Sequence, residues 1–165
     1  MSIAPTFEKY LAAEQIGYTV IRHEPTASSA HTAHATHIPE DCLAKGIVLR
    51  RDGGDYLLAV LPASHHLSRS EFKNEFGVNV ELANEDEIDR LFWDCAHGAV
   101  PPVGQCYGLP SVVDDSINAQ PEIYMEAGDH RTLLHLTRTQ FAHLTAGAQH
   151  GRFSEKVPGE SVVWG

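Results

Sequence analysis

Apolar residues first recur at helical spacing after Pro5, where Phe7, Tyr10 and Leu11 form one edge and Gly17 supplies a stop, so a helix is predicted there. Residues 18–22 read as a β-strand and 23–26, with a proline inside, as a loop. A short helix rich in alanine and histidine is predicted over Ser29–Thr36, ending before Ile38-Pro39 because proline cannot continue it; 39–43 is a connector. Residues 44–51 and 56–61 are β-rich runs around Asp52-Gly53-Gly54-Asp55, the composition of a hairpin turn. Ser68 followed by Glu71 is a capping-box signature opening a helix that carries Phe72 and Phe76 and ends at Gly77. Residues 78–82 form the next strand. Asn84 with Glu87 repeats the capping pattern, and Ile88, Leu91 and Phe92 make the buried edge of a helix whose acidic outer face is solvated surface.

Periodicity fails over 94–109, where glycine, proline and small residues dominate; a loop this long inside a compact domain is usually functional. His65-His66 read as exposed loop residues. Strand-like runs follow at 111–114, 122–127 and 132–136, then a helix capped by Thr137 with Gln140 that presents Phe141 and Leu144. The tail after Gly147 is polar except for Val162-Val163-Trp164, an edge strand or dimer contact in prospect. This order is neither strict βαβ alternation nor all-β. The expected fold is α+β, or loosely mixed α/β, a single domain over 1–147 with a largely antiparallel mixed sheet flanked by helices, and a tail over 148–165.

Composition agrees with one core: of 165 residues 42% are hydrophobic and 21% charged. Twelve basic against 22 acidic residues give a net charge of −10, which argues against a DNA-coating role. Arg50-Arg51, Arg69, Lys73, Arg131, Arg138 and Arg152 are scattered, so an RNA partner would be held end-on at an unpaired terminus rather than along a broad footprint. No run is long and apolar enough to cross a bilayer and no leader pattern opens the chain, so a soluble, cytoplasmic protein without a membrane partner is expected. Cys42, Cys95 and Cys106 are odd in number and lack C-x-x-C spacing, which suggests neither a disulfide framework nor a cysteine zinc site.

Three features carry chemistry. Lys45 sits among apolar neighbours at the mouth of a predicted buried strand, where a lysine either snorkels to the surface or is held for a task. The loop Gly98-Ala99-Val100-Pro101-Pro102-Val103-Gly104 is either a stiffened turn or a cradle whose glycines let backbone groups approach a ligand, with Val100 and Val103 as walls of a small pocket. Asp114 ends a Val-Val run, where its carboxylate could cap a turn or orient the lysine. His135 alternates with Leu134 and Leu136 and belongs to a polar face. No Ser-His-Asp or Cys-His set assembles, and each cysteine reads as buried and inert.

Residues 18–144 resemble the YbaK/ProX family of aminoacyl-tRNA editing domains, related to the insertion domain of bacterial prolyl-tRNA synthetases. The resemblance rests on Leu43-Ala44-Lys45-Gly46-Ile47-Val48-Leu49, on Gly53-Gly54-Asp55-Tyr56 with the strand to Pro62, on Gly98-x-x-Pro101-Pro102-x-Gly104, on Val112-Val113-Asp114, and on Ile123-Tyr124-x-x-Ala127-Gly128. It implies a trans-acting deacylase that hydrolyses the ester joining a wrong small amino acid (alanine, serine, threonine or cysteine) to the 3′ CCA end of tRNA. Lys45 would then be required for hydrolysis, and Gly98, Ala99, Val100, Pro101 and Pro102 would cradle the ester. His130 falls where some members place a histidine that helps editing, and Gly128 belongs to the matched turn. Thr26, Ser29 and His31 would lie on the segment facing the pocket. No cofactor is implied; an aminoacyl-tRNA synthetase is a further possible partner.

Two other readings stand beside this one. A catalytically idle ligand- or tRNA-binding module on the same fold predicts that Lys45 is dispensable. A histidine-rich metal protein would use His31, His34 and His37, with Glu40 or Cys42 completing a site only by loop folding.

Overall fold

The computed structural model describes residues 3–25 and 29–157. At its centre is the expected hairpin, β2 (Leu43–Arg51) and β3 (Tyr56–Pro62), antiparallel with Lys45 opposite Leu61 and Arg50 opposite Tyr56. Both faces of β3 are covered. Leu57, Ala59 and Leu61 enter one apolar cluster and Leu58 and Val60 another, so the strand reads as an unbroken hydrophobic run rather than an alternating one.

The remaining strands are β1 (Thr19–Arg22), β4 (His65–Leu67), β5 (Val80–Leu82), β6 (Ser111–Asp114), β7 (Glu122–Glu126), β8 (Thr132–Thr137), β9 (Gln149–Gly151) and β10 (Ser154–Lys156). The eight-stranded sheet runs β1-β8-β7-β2-β3-β6-β9, with β5 also paired to β2. The β1/β8, β8/β7, β2/β3 and β2/β5 pairs are antiparallel, while β7/β2, β3/β6 and β6/β9 are parallel. The mixed α/β class expected from the element order is what the chain adopts.

The helices are α1 (Pro5–Ala13), α2 (Ser29–Thr36), α3 (Arg69–Phe76), α4 (Glu85–Leu91), α5 (Asp115–Asn118) and α6 (Arg138–Leu144). On one face, Phe7 and Leu11 of α1, Phe92, Ile117 of α5 and Phe141 and Leu144 of α6 build the main core. On the other, Phe72 and Phe76 of α3 meet Phe153, and Ala33 of α2 meets Leu43 and Leu133. The capping boxes at Asn84/Glu87 and Thr137/Gln140 form with both reciprocal bonds, whereas Ser68 accepts from the Glu71 amide.

Several expectations are corrected. Helix α1 stops at Ala13 rather than Gly17, because Gln15 takes the left-handed conformation (φ 54°) and the Ile16 and Gln15 amides bond back to Leu11 and Ala12. Residues 65–67 are not loop: β4 pairs with β10 in the polar tail, and β9 adds an edge strand beside β6. The one-turn helix α5 was not foreseen. Val162, Val163 and Trp164 lie outside the described residues, as does Thr26.

Candidate functional site

Strand β2 has β3 along one edge, but its other edge is shared. Leu43 and Ala44 pair with Tyr124 and Met125 of β7, Leu49–Arg51 pair with β5, and among the described residues no ladder covers the stretch between. There the Val48 carbonyl accepts from the Ala83 amide at 3.0 Å. The interruption opens a cleft of about 400 Å³, lined by residues 44–48 of β2, Leu82 of β5 and Ala83 after it, Glu85 and Ile88 of α4, Gly98 and Val100 of the glycine-proline loop, and Glu126 of β7. That volume lies in the range of small-molecule pockets.

Lys45 is half-buried in this cleft. It reaches it because the strand carrying it loses one neighbour there, which the sequence signals only as a lysine within an apolar run. The loop is brought to the same place by close packing. A β-carbon at Gly46 would stand 3.0 Å from Leu58 Cδ1 and 3.3 Å from Pro102 Cα, so the glycine lets the loop lie close against β2.

The loop divides into layers. Gly98 and Val100 line the cleft, whereas Ala99, Pro101 and Pro102 are buried beneath it. Val103, expected as a pocket wall, is instead fully buried in the main core. The Ala96 amide bonds the Gly128 carbonyl at 2.7 Å, which anchors the loop to the turn after β7. His130 stands in that turn with a left-handed backbone (φ 65°); its Nε2 bonds the His97 carbonyl, and Asp129 accepts from the Arg131 amide and the Thr132 hydroxyl. His130 and Gly128 therefore support the loop from outside and do not line the cleft.

Asp114 stands apart, on β6. Its carboxylate is buried, accepts from the Ser116 amide and hydroxyl to cap α5, and accepts from the Phe153 amide at 2.8 Å, which is the capping role. Ser29 and His31 lie on α2, and His34 with them, but their side chains are outside the described ones. His37 terminates that helix with φ 60°. Burial pushes the Cys95 thiol up to about 11 and Cys106 to about 12, so both stay protonated at neutral pH. His135 stacks on Tyr124 and pairs with Glu122 on the polar face expected for it.

Sequence reading missed two residues. Glu126 follows the alternation of Glu122 and Tyr124 and looks like solvated strand face, yet its side chain is only 14% exposed. The Leu43/Tyr124 and Ala44/Met125 pairing brings it level with Lys45 one step further on, on the face that Leu43 and Leu133 share with α2. His23 Nε2 lies 3.5 Å from its carboxylate. Burial, with the Asp129 carboxylate adding and the Thr32 hydroxyl opposing, pushes Glu126 up to about 7. Beyond His23, the side of the molecule carries a surface hollow of about 450 Å³ lined by Arg22, His23, Glu24 and Arg131. A separate cavity of about 330 Å³ between α3 and β6 contains none of the expected site residues.

Residues 23–144 match the model of the aminoacyl-tRNA editing domain family. The chain is 26% identical over 109 residues to a proline–tRNA ligase of Trichlorobacter lovleyi, covering 65% of this chain and 19% of the ligase, about a fifth of that relative's length. A crystal structure provisionally described as a trans-editing enzyme for prolyl-tRNA synthetase superposes with a TM-score of 0.79 at 24% identity, over 93% of this chain and 99% of that one. The hypothetical protein APE2540 gives 0.80 at 23% identity over 91% and 99%. At these identities the superpositions establish a shared fold.

Proposed function

Because the chain belongs to the aminoacyl-tRNA editing domain family, we propose that it acts in trans as a deacylase on mischarged tRNA. Water adds to the ester carbonyl, the bond to the ribose oxygen breaks, and a free amino acid leaves a tRNA with its terminal hydroxyl restored. The observation that supports this reading most is the meeting of Lys45 and the Gly98 loop in one cleft at the uncovered edge of β2.

The roles follow from the chemistry of the groups. The Lys45 ammonium holds the carbonyl or the ribose end and stabilises the negative charge that develops as water adds. Gly98, without a side chain, lets the ester approach the loop backbone. Val100, Leu82 and Ile88 supply apolar walls that suit a small side chain such as that of alanine, serine, threonine or cysteine. Positioning and electrostatics are the contribution proposed; among the described residues lining the cleft there is no serine, threonine, cysteine or histidine to act as a nucleophile.

The tRNA enters by its unpaired 3′ end. Arg22 and Arg131 line one hollow beside the cleft, with exposed guanidinium groups that can face phosphates. The editing relation of the relatives to prolyl-tRNA synthetase makes tRNA for proline the first species to try.

The test is amino-acid release from tRNA for proline charged with alanine, serine, threonine, cysteine or proline, by wild type and Lys45→Ala. Lysine-dependent hydrolysis of one or more mischarged species, with loss of about 10²- to 10³-fold in the variant, is expected. A folded wild type inert toward the panel and toward other mischarged tRNAs would overturn the reading in favour of a binding module.

A further inference from the structure

Two carboxylates line the cleft, and they differ in kind. Glu85 is a rim residue, its side chain 72% exposed and paired with His97 at 2.8 Å. Glu126 is enclosed at 14% exposure, and among the described residues its Oε1 is buried with no hydrogen-bond partner. Behind it, His23 is 3% exposed, with Nδ1 2.7 Å from the Glu24 carbonyl. A carbonyl only accepts, so Nδ1 carries a proton, and Nε2 is the ring atom that faces the Glu126 carboxylate at 3.5 Å.

An aminoacyl ester has one cationic group, the α-ammonium, on the carbon next to the ester carbonyl. We infer that Glu126 receives this α-ammonium while Lys45 and the Gly98 loop hold the adjacent carbonyl. The inference rests on the deacylase reading above and adds to it the substrate handle that is recognised. Three relationships support it: Glu126 and Lys45 line the same cleft, the β2/β7 register sets them level on one face, and the carboxylate lies behind an apolar wall where a matching cation is worth most. Burial pushes Glu126 up to about 7, and an ammonium seated beside it favours the ionised form. The consequence is selectivity: esters whose amine is acylated, as in peptidyl-tRNA, cannot form this ion pair and are spared.

The experiment compares each aminoacyl-tRNA that wild type hydrolyses with its α-hydroxyacyl counterpart, made by nitrous-acid deamination. This exchange removes the charge while keeping size and shape nearly constant. Wild type should prefer the ammonium ester by about tenfold or more in kcat/KM. Glu126→Gln should cut that preference toward the ratio of the two esters' uncatalysed hydrolysis, chiefly by losing activity on the charged one. Glu126→Asp, which keeps the carboxylate, should retain a preference, and this variant decides the matter if the glutamine variant fails to fold. Equal hydrolysis of both esters by wild type, or an undiminished preference in folded Glu126→Gln, would overturn the inference while leaving the deacylase standing. Failure of wild type on every ester would instead remove the deacylase reading beneath it.

Discussion

The imidazole of His130 packs against the bare α-carbon of Gly98: a β-carbon there would lie 3.3 Å from the ring's Cε1 and 3.4 Å from its Nε2. The same ring bonds the His97 carbonyl, so one side chain fixes the residue before the glycine and fills the space beside it. Gly98 has φ +82°, and with Val100 it is where the loop lines the cleft.

On the proposed function, this packing makes His130 a positioning residue. His130→Asn keeps a side chain that tolerates the left-handed backbone but removes the ring. It should lower kcat about 10- to 100-fold, less than Lys45→Ala, by letting the loop drift. The shape of the pH–rate profile should stay as in wild type, whereas a proton-transfer role would remove a limb of it; steady-state kinetics across pH read the difference.

Glu87 ties α4 to the central hairpin. Its carboxylate accepts from the Tyr56 hydroxyl, from the Asn84 amide at 2.8 Å and from Arg50 at 2.9 Å, which together hold it down to about 2. A depressed acid contributes stability above its unfolded value, and that contribution is lost as pH falls through the ordinary carboxylate range toward about 2. Glu87→Gln should melt a few degrees below wild type at pH 7, with the gap closing between pH 5 and 2, as followed by thermal denaturation.

Glu126 has the opposite sign. An acid raised to about 7 in the folded state stabilises the protein least once ionised, so stability falls as pH climbs from the ordinary carboxylate range through 7. Glu126→Gln, uncharged at every pH, should be more stable than wild type at pH 8 by about 1–2 kcal/mol and nearly equal to it at pH 4. Melting curves at the two pH values test this independently of any substrate.

Arg22 and Arg131 are exposed on the hollow beside His23. If they face tRNA phosphates, Arg22→Ala and Arg131→Ala should raise KM with kcat little changed. The dependence of log kcat/KM on log salt should become shallower by about 0.7 for each phosphate no longer neutralised. A salt titration of the two variants and the wild type measures it.

Local signals decided a good part of the structure. The Asp52–Asp55 turn with β-rich runs on either side fixed the hairpin that carries Lys45, and the Asn84/Glu87 and Thr137/Gln140 pairs marked two helix starts, because hydrogen bonds three residues apart need no tertiary partner. The end of α1 escaped notice because a glutamine, not the nearby glycine, took the left-handed position; Gly17 is instead a point of close approach to Gln140. The β4/β10 pair escaped because its two short strands lie far apart in sequence and carry mostly polar residues.

The sequence by itself singled out Lys45 and the Gly98 loop, since a lysine in an apolar run and a glycine-proline stretch are legible in one dimension. It could not show that β2 has an uncovered edge between β7 and β5, nor that Glu126 and His23 are buried beside it. Strand alternation assigns Glu126 to a face, but whether that face meets water depends on α2 and on a parallel pairing between strands some eighty positions apart. A cleft is made by what fails to pair, and only the folded sheet determines which edge is left open.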